Sequence, residues 1–142
     1  MNNEQCTTLQ VLLDRDVVLV GVNYRLGALG WLSMGLWDQR LALLWVRDNI
    51  RQFGGDPGNV TLVGQSSGSM CAMLHMVAPP SAGLFHRVIA LSGTPNCGPV
   101  QGNRRPRVMA RALAERLGCR KEAGETEVIM HLQRAGATEI LR

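Results

Sequence analysis

One short stretch could do chemistry. In Val60-Thr61-Leu62-Val63-Gly64-Gln65-Ser66-Ser67-Gly68-Ser69-Met70, a serine lies between two glycines in the pattern G-x-S-x-G. A serine hydroxyl is a weak nucleophile at neutral pH, so it must be exposed to substrate and served by a base. A sharp turn from strand to helix meets the first need. It puts Ser66 at an apex in a strained backbone conformation, with small residues at positions 64 and 68 letting strand and helix approach. The backbone N–H of Ser67 would then face the oxyanion formed when Ser66 attacks a carbonyl, helped by the helix N-terminus. The chemistry on offer is acyl transfer, and it depends on the flanking elements.

Those elements read as required. Val60–Val63 is a short apolar, β-branched run that suits a buried strand, and Ser67–Met76 is helical in pattern and closed by Pro79-Pro80. Upstream, Val17–Tyr24 is a continuous apolar run after a charged turn, as in strands of a parallel sheet. Gly27 and Gly30 then mark a turn or loop. Asp38–Phe53 reads as a helix from the spacing of Leu41, Leu44, Trp45 and Asp48–Ile50, with Asp38 near its start and Gly54-Gly55-Asp56-Pro57-Gly58 as its stop. Downstream, Arg87–Ser92 predicts a third strand, Pro106–Leu117 a helix with Gly118 at its end, Glu125–Gln133 another, and Thr138 begins one more. The order β, α, β, α, β predicts an α/β fold with parallel strands and flanking helices.

The 142 residues suit one domain, and 46% hydrophobic with 18% charged residues is the composition of a globular chain. The net charge of +4 is modest. Its arginines cluster at 104, 105, 107 and 111, with Arg116, Arg120 and Lys121 nearby. The aromatic partners that stack on bases are missing, so the cluster reads as a solvated helix face and no nucleic-acid partner is expected. No run of 18 apolar residues exists, so no membrane span is expected. Cys6, Cys71, Cys97 and Cys119 form no C-x-x-C and no metal spacing with a histidine, so neither metal nor cofactor is expected. The start MNNEQCTTLQ lacks the pattern of a secretory leader, and the compartment stays open.

Three blocks carry more than a short motif. DRDVVLVGVNYRLG, GLWDQRLALLWVRDNIRQFGGDPGNVTLVGQSSG and GLFHRVIALSGTPN closely resemble the type-B carboxylesterase and cholinesterase family of α/β-hydrolases. The resemblance is clear from about Leu12 to Asn96 and weaker through LAERLGC to residue 142, so the whole chain is expected to be part of one such domain. It implies that Ser66 forms the acyl-enzyme, that Ser67 N–H is one oxyanion donor, and that Arg25 and Asp38 are a buried ion pair tying the first strand's loop to the next helix. It also implies that Ser92 matches the serine supporting the catalytic acid. The substrate would be a small carboxylic ester, and such proteins are often secreted or lumenal. Asn59-Val60-Thr61 reads as a glycosylation sequon, but with Thr61 opening a buried strand it is expected to stay unmodified.

The chain also departs from that pattern. Gln65 stands where the family usually has Glu, which is similar to the GQSAG turn of juvenile hormone esterases and removes a negative charge beside the nucleophile. Ser67 replaces the usual Ala, and Ser69 the usual Gly or Ala. A loop usual in the family is missing between Ser33 and Leu36. Cys119 matches a cysteine whose usual disulfide partner aligns with His131, which would leave Cys119 unpaired. An HGGG-type oxyanion loop is not found in residues 1–13, and the catalytic acid and histidine would fall after residue 142. His75, His86 and His131 read as structural or surface residues.

The expected function is therefore that of a segment of a serine carboxylester hydrolase, inactive alone. The alternatives are a non-catalytic cholinesterase-like binding or adhesion protein, and a truncated product with no separate role. Strands taken from the middle of a parallel sheet would have open edges, and VVLVGVNY and VTLVG are aggregation-prone windows when exposed.

Overall fold

The computed structural model describes residues 14–31, 34–96 and 106–140. In chain order the helices are α1 (Gly27–Trp31), α2 (Met34–Asn49), α3 (Ser67–Val77), α4 (Pro106–Arg116), α5 (Glu125–Arg134) and α6 (Ala137–Ile140). The strands are β1 (Thr61–Gln65) and β2 (Arg87–Leu91), and single 3-10 turns cover Ile50–Phe53 and Pro79–Ser81. The residues fall into two compact units. One joins the chain up to Asn23 with Gln39–Pro95, and the other joins Tyr24–Asp38 with the chain from Asn96 onward.

The first unit is built on β1–α3–β2. The strands pair in parallel, in a register running from Thr61 opposite Arg87 to Gln65 opposite Leu91. Parallel neighbours need a crossover connection, and α3 supplies it. Alternation sets the faces of β1. Leu62 and Gly64 are half-buried while Thr61, Val63 and Gln65 are exposed. Thr61 was expected to be buried, but it lies on the open face of the strand. α3 stops where it must. Ala78 is extended at φ −88°, ψ 111°, as a residue before proline prefers, and Pro79 opens the next turn.

α2 begins at Met34, four residues before the start that Asp38 suggested. Its buried apolar side chains, among those described, are Leu43 and Val46, continued by Ile50, a three-and-four spacing. Of the expected stripe, Leu41 and Trp45 face outward, 66% and 46% exposed, while Leu44 is half-buried and Ile50 buried; Trp45 rests on Phe53 with ring centroids 5.6 Å apart. The helix is apolar on two sides, so periodicity alone could not choose between them. It tightens through Ile50–Phe53 and ends at Gly54, whose φ of +80° lets its N–H return to Arg51 O.

The expected strand over Val17–Tyr24 does not form. These residues have no regular structure, and Val17–Val20 and Val22 are 38–50% exposed. A strand is defined by its partner, and among the described residues β1 and β2 are paired only with each other.

The second unit packs α4 against α5. Ala114, Ala123, Val128 and Leu132 form its core, with Ala110, Leu113, Leu117 and Cys119 around them. Gly118, at φ +91°, turns the chain out of α4. Three arginines of this region, Arg107, Arg111 and Arg120, face partners within the unit, while Arg104 and Arg105 lie outside the described residues. Arg107 pairs with Glu125 and Arg120 with Glu127, and Arg111 donates to the carbonyls of Lys121 and Ala123. α1 replaces the loop expected around Gly27 and Gly30. Among the described residues no helix is long and apolar enough to cross a membrane, and no group of side chains could hold a metal ion.

Candidate active site

The turn between β1 and α3 places Ser66 at φ 54° and ψ −117°, a conformation L-residues rarely adopt. Its side chain is exposed. Two bonds hold the backbone there: Ser66 N–H donates to Leu91 O at 2.8 Å, and Ser66 O accepts from Met70 N–H at 3.1 Å. Ser66 is also the N-cap residue of α3, so Ser67 N–H is the first donor of the helix and has no acceptor within it. Gln65 is exposed at the end of β1, opposite Leu91.

The two glycines of the motif are not equivalent. A Cβ on Gly64 would overlap the carbonyl of Gly68 and lie 2.6 Å from Ser69 N, so strand and helix can meet only because residue 64 is glycine. A Cβ on Gly68 would meet nothing within 4 Å. The glycine with the matching constraint is Gly93, two residues beyond β2, where a Cβ would overlap the carbonyl of Ser66. The G-x-S-x-G pattern could not reveal it, because the contact comes from another strand. Between Leu91 and Gly93 lies Ser92, exposed and at φ 52°, so both strands end at a serine with positive φ.

The histidines lie elsewhere. His75, on α3, is buried between two uncharged partners. Its Nδ1 is 2.8 Å from Ser81 Oγ and its Nε2 3.0 Å from Gln39 Oε1. Gln39 Oε1 can only accept, so Nε2 carries the proton and Nδ1 accepts from Ser81. Burial pushes the imidazole's pKa down. His86 accepts Val60 N–H on Nδ1 at 3.1 Å, beside the first residues of β1 and β2. Val60 lies six residues before Ser66 along the strand, about 20 Å away at roughly 3.3 Å per residue. His131, in the second unit, bonds Leu117 O through Nε2 at 3.1 Å.

Arg25 and Asp38 join within the second unit. Arg25 Nε donates to Asp38 Oδ2 at 2.7 Å and its Nη2 to Oδ1 at 2.5 Å, a two-pronged pair, and Arg25 N–H adds a bond of 3.1 Å. The side chains are 52% and 21% exposed, so the pair is not the buried one that the resemblance implied. The Arg25 hydrogen bonds hold the Asp38 carboxyl down at about 2. Asp38 is anchored by this guanidinium and not by the start of α2, which lies four residues earlier. Asn59 Oδ1 accepts from Arg87 Nη1 at 2.5 Å. Among the described residues Cys71 and Cys119 form no disulfide; Cys6, Cys97, residues 1–13 searched for the oxyanion loop, and residues 32–33 at the missing loop lie outside the described residues, while Met34–Leu36 on its far side open α2.

Known proteins are similar to this sequence. The chain is 42% identical to acetylcholinesterase of Gallus gallus over 141 aligned residues, covering 89% of this chain and 18% of that protein. It is 41% identical to venom carboxylesterase-6 of Apis mellifera over 129 residues, covering 84% of this chain and 23% of that one. It thus spans about a fifth of the length of these curated relatives. The sequence profile described as "Carboxylesterase family" matches residues 1–142. With a parallel β1–α3–β2 unit carrying the serine turn, the chain belongs to the carboxylesterase family, and its fold is part of an α/β-hydrolase.

Proposed function

We propose that Ser66 is the acyl-accepting nucleophile of a serine carboxylester hydrolase, and that these 142 residues carry the nucleophile turn but do not turn over esters by themselves. The backbone of Ser66 carries the first part of this reading. An exposed serine held at φ 54° between a parallel strand and a helix is the arrangement that acyl transfer needs, and a protein that only bound partners would gain nothing from that strain. Ser66 Oγ attacks the ester carbonyl and gives its proton to a general base, Ser67 N–H donates to the oxyanion, the ester C–O bond breaks as the alcohol leaves with that proton, and water then hydrolyses the acyl-serine to the acid and restores the Ser66 hydroxyl. The substrate class is a small carboxylic ester. Ser92 would support the catalytic acid, and Gln65 leaves the nucleophile without a charged neighbour on its strand side.

The histidines support the second part. The partners of His75 and the location of His86 keep both from reaching Ser66 as a base, and His131 is held by Leu117 O. Loss of the base alone costs a triad hydrolase on the order of 10⁶ in rate. Hydrolysis of a short-chain ester by the 142-residue chain and by Ser66→Ala tests this. The two are expected to match, with serine-dependent turnover below about 0.1 per second against roughly 10 for a typical enzyme. Faster turnover that depends on Ser66 would overturn the inactivity and keep the nucleophile. A blot of source tissue with an antibody to residues 37–58 tests the parent. A band several times larger than 15.5 kDa is expected.

A further inference from the structure

We propose that Ser69 is a positioning residue for the Ser66 turn, whose hydroxyl clamps the exit of β2 against the nucleophile's backbone. Ser69 is the third residue of α3 and its side chain is completely buried. Its Oγ donates to Gly93 O at 2.6 Å. Gly93 lies against the Ser66 carbonyl, where no Cβ fits, and Leu91 O accepts Ser66 N–H. The segment Leu91–Gly93 therefore touches Ser66 on both sides of its Cα, at the N–H and at the C=O. One side-chain hydrogen bond, from Ser69, ties that segment to the helix following the turn.

Geometry makes the clamp specific to a hydroxyl. Gly or Ala, usual at this position in the family that the chain resembles, would fit the buried space but leave Gly93 O without this donor. With Ser69 in place, Leu91–Gly93 cannot swing away from Ser66 without breaking a buried bond. That strip also contains Ser92 at φ 52°, so one hydroxyl constrains both strained serines. The catalytic consequence rests on Ser66 being the nucleophile; the backbone constraint does not.

The test is NMR of the isotope-labelled 142-residue chain, comparing wild type with Ser69→Ala. The expected result is selective. Ser66 N–H should exchange about tenfold faster, the factor one hydrogen bond is worth, and the Ser66 Cα and Cβ shifts should move. The amides pairing β1 with β2 and those of α5 should keep their rates. An unchanged Ser66, or faster exchange spread evenly over the first unit, would overturn the proposal. Should Ser69→Ala not fold, Ser69→Cys keeps the side-chain shape with a slightly larger atom and weakens the donor. The same selective change at Ser66 supports the clamp, and wild-type behaviour there overturns it. Because no ester is hydrolysed in this measurement, its failure is separate from failure of the nucleophile reading.

Discussion

Ser66 and Ser92 each hold a positive φ, at about 1–3 kcal/mol apiece. Neighbouring glycines make this feasible, and they can be told apart by substitution. Gly93→Ala and Gly64→Ala force a methyl into backbone atoms and should each lose about 1–3 kcal/mol in urea unfolding. Gly68→Ala meets open space in a helix and should be neutral or gain up to about 1 kcal/mol. The motif named Gly64 and Gly68 alike because a pattern records spacing, whereas the steric demand comes from whichever backbone arrives in space. The same scale governs acid behaviour at Asp38. Its carboxyl falls from 3.8 to about 2 beside Arg25, so the stability it contributes is complete above 3.8 and is lost as pH drops toward about 2. Asp38→Asn should flatten the acid limb of an unfolding profile in that window.

Between elements, the Gln39–His75–Ser81 contact joins α2, α3 and the turn at Pro79–Ser81, and Arg40 Nε adds a bond to Pro80 O at 2.6 Å. Both partners of His75 are uncharged and burial depresses its pKa below 6.5, so the unfolded chain takes up this proton more readily. The contribution is therefore full above pH 6.5 and declines as pH falls through the folded pKa. Denaturant midpoints at pH 7.5 and 5 should differ for wild type and draw together in His75→Gln. Elements defined by local chemistry were legible in the sequence. The turn at Gly64–Gly68, α3 closed by Pro79, and α4 opened by Pro106 and closed by Gly118 all lie within a residue or two of expectation. Elements defined by partners were not. Val17–Tyr24 has the residues of a buried strand but no neighbour to pair with among the described residues, and α2 has two apolar sides of which Leu43, Val46 and Ile50 make the buried one.

At the scale of the molecule, much apolar surface stays open. Val63 is 61% exposed, and its partner in register, Ile89, is 49% exposed, as is Leu91 at the end of β2. A two-stranded sheet also leaves unpaired edges. Such a face promotes self-association, so light scattering should rise with concentration of the 142-residue chain. Val63→Lys with Ile89→Glu puts opposite charges across the strand pair on the open side. This variant should scatter less while keeping its unfolding midpoint. A midpoint that collapsed would place that face inside the folded chain.

The interleaving of the two units has a consequence for synthesis. β1, α3 and β2 and the helical residues supporting them are all available once Pro95 has emerged from the ribosome. The second unit joins Tyr24–Asp38 to the chain beyond Asn96, so α1 waits for α6. Some 45 residues later, at roughly 5–20 residues per second, the delay is about 2–9 s. For that interval the nascent polypeptide holds a formed serine turn while Tyr24–Asp38, already tied by its own Arg25–Asp38 pair, still lacks the part of its unit that lies beyond Asn96.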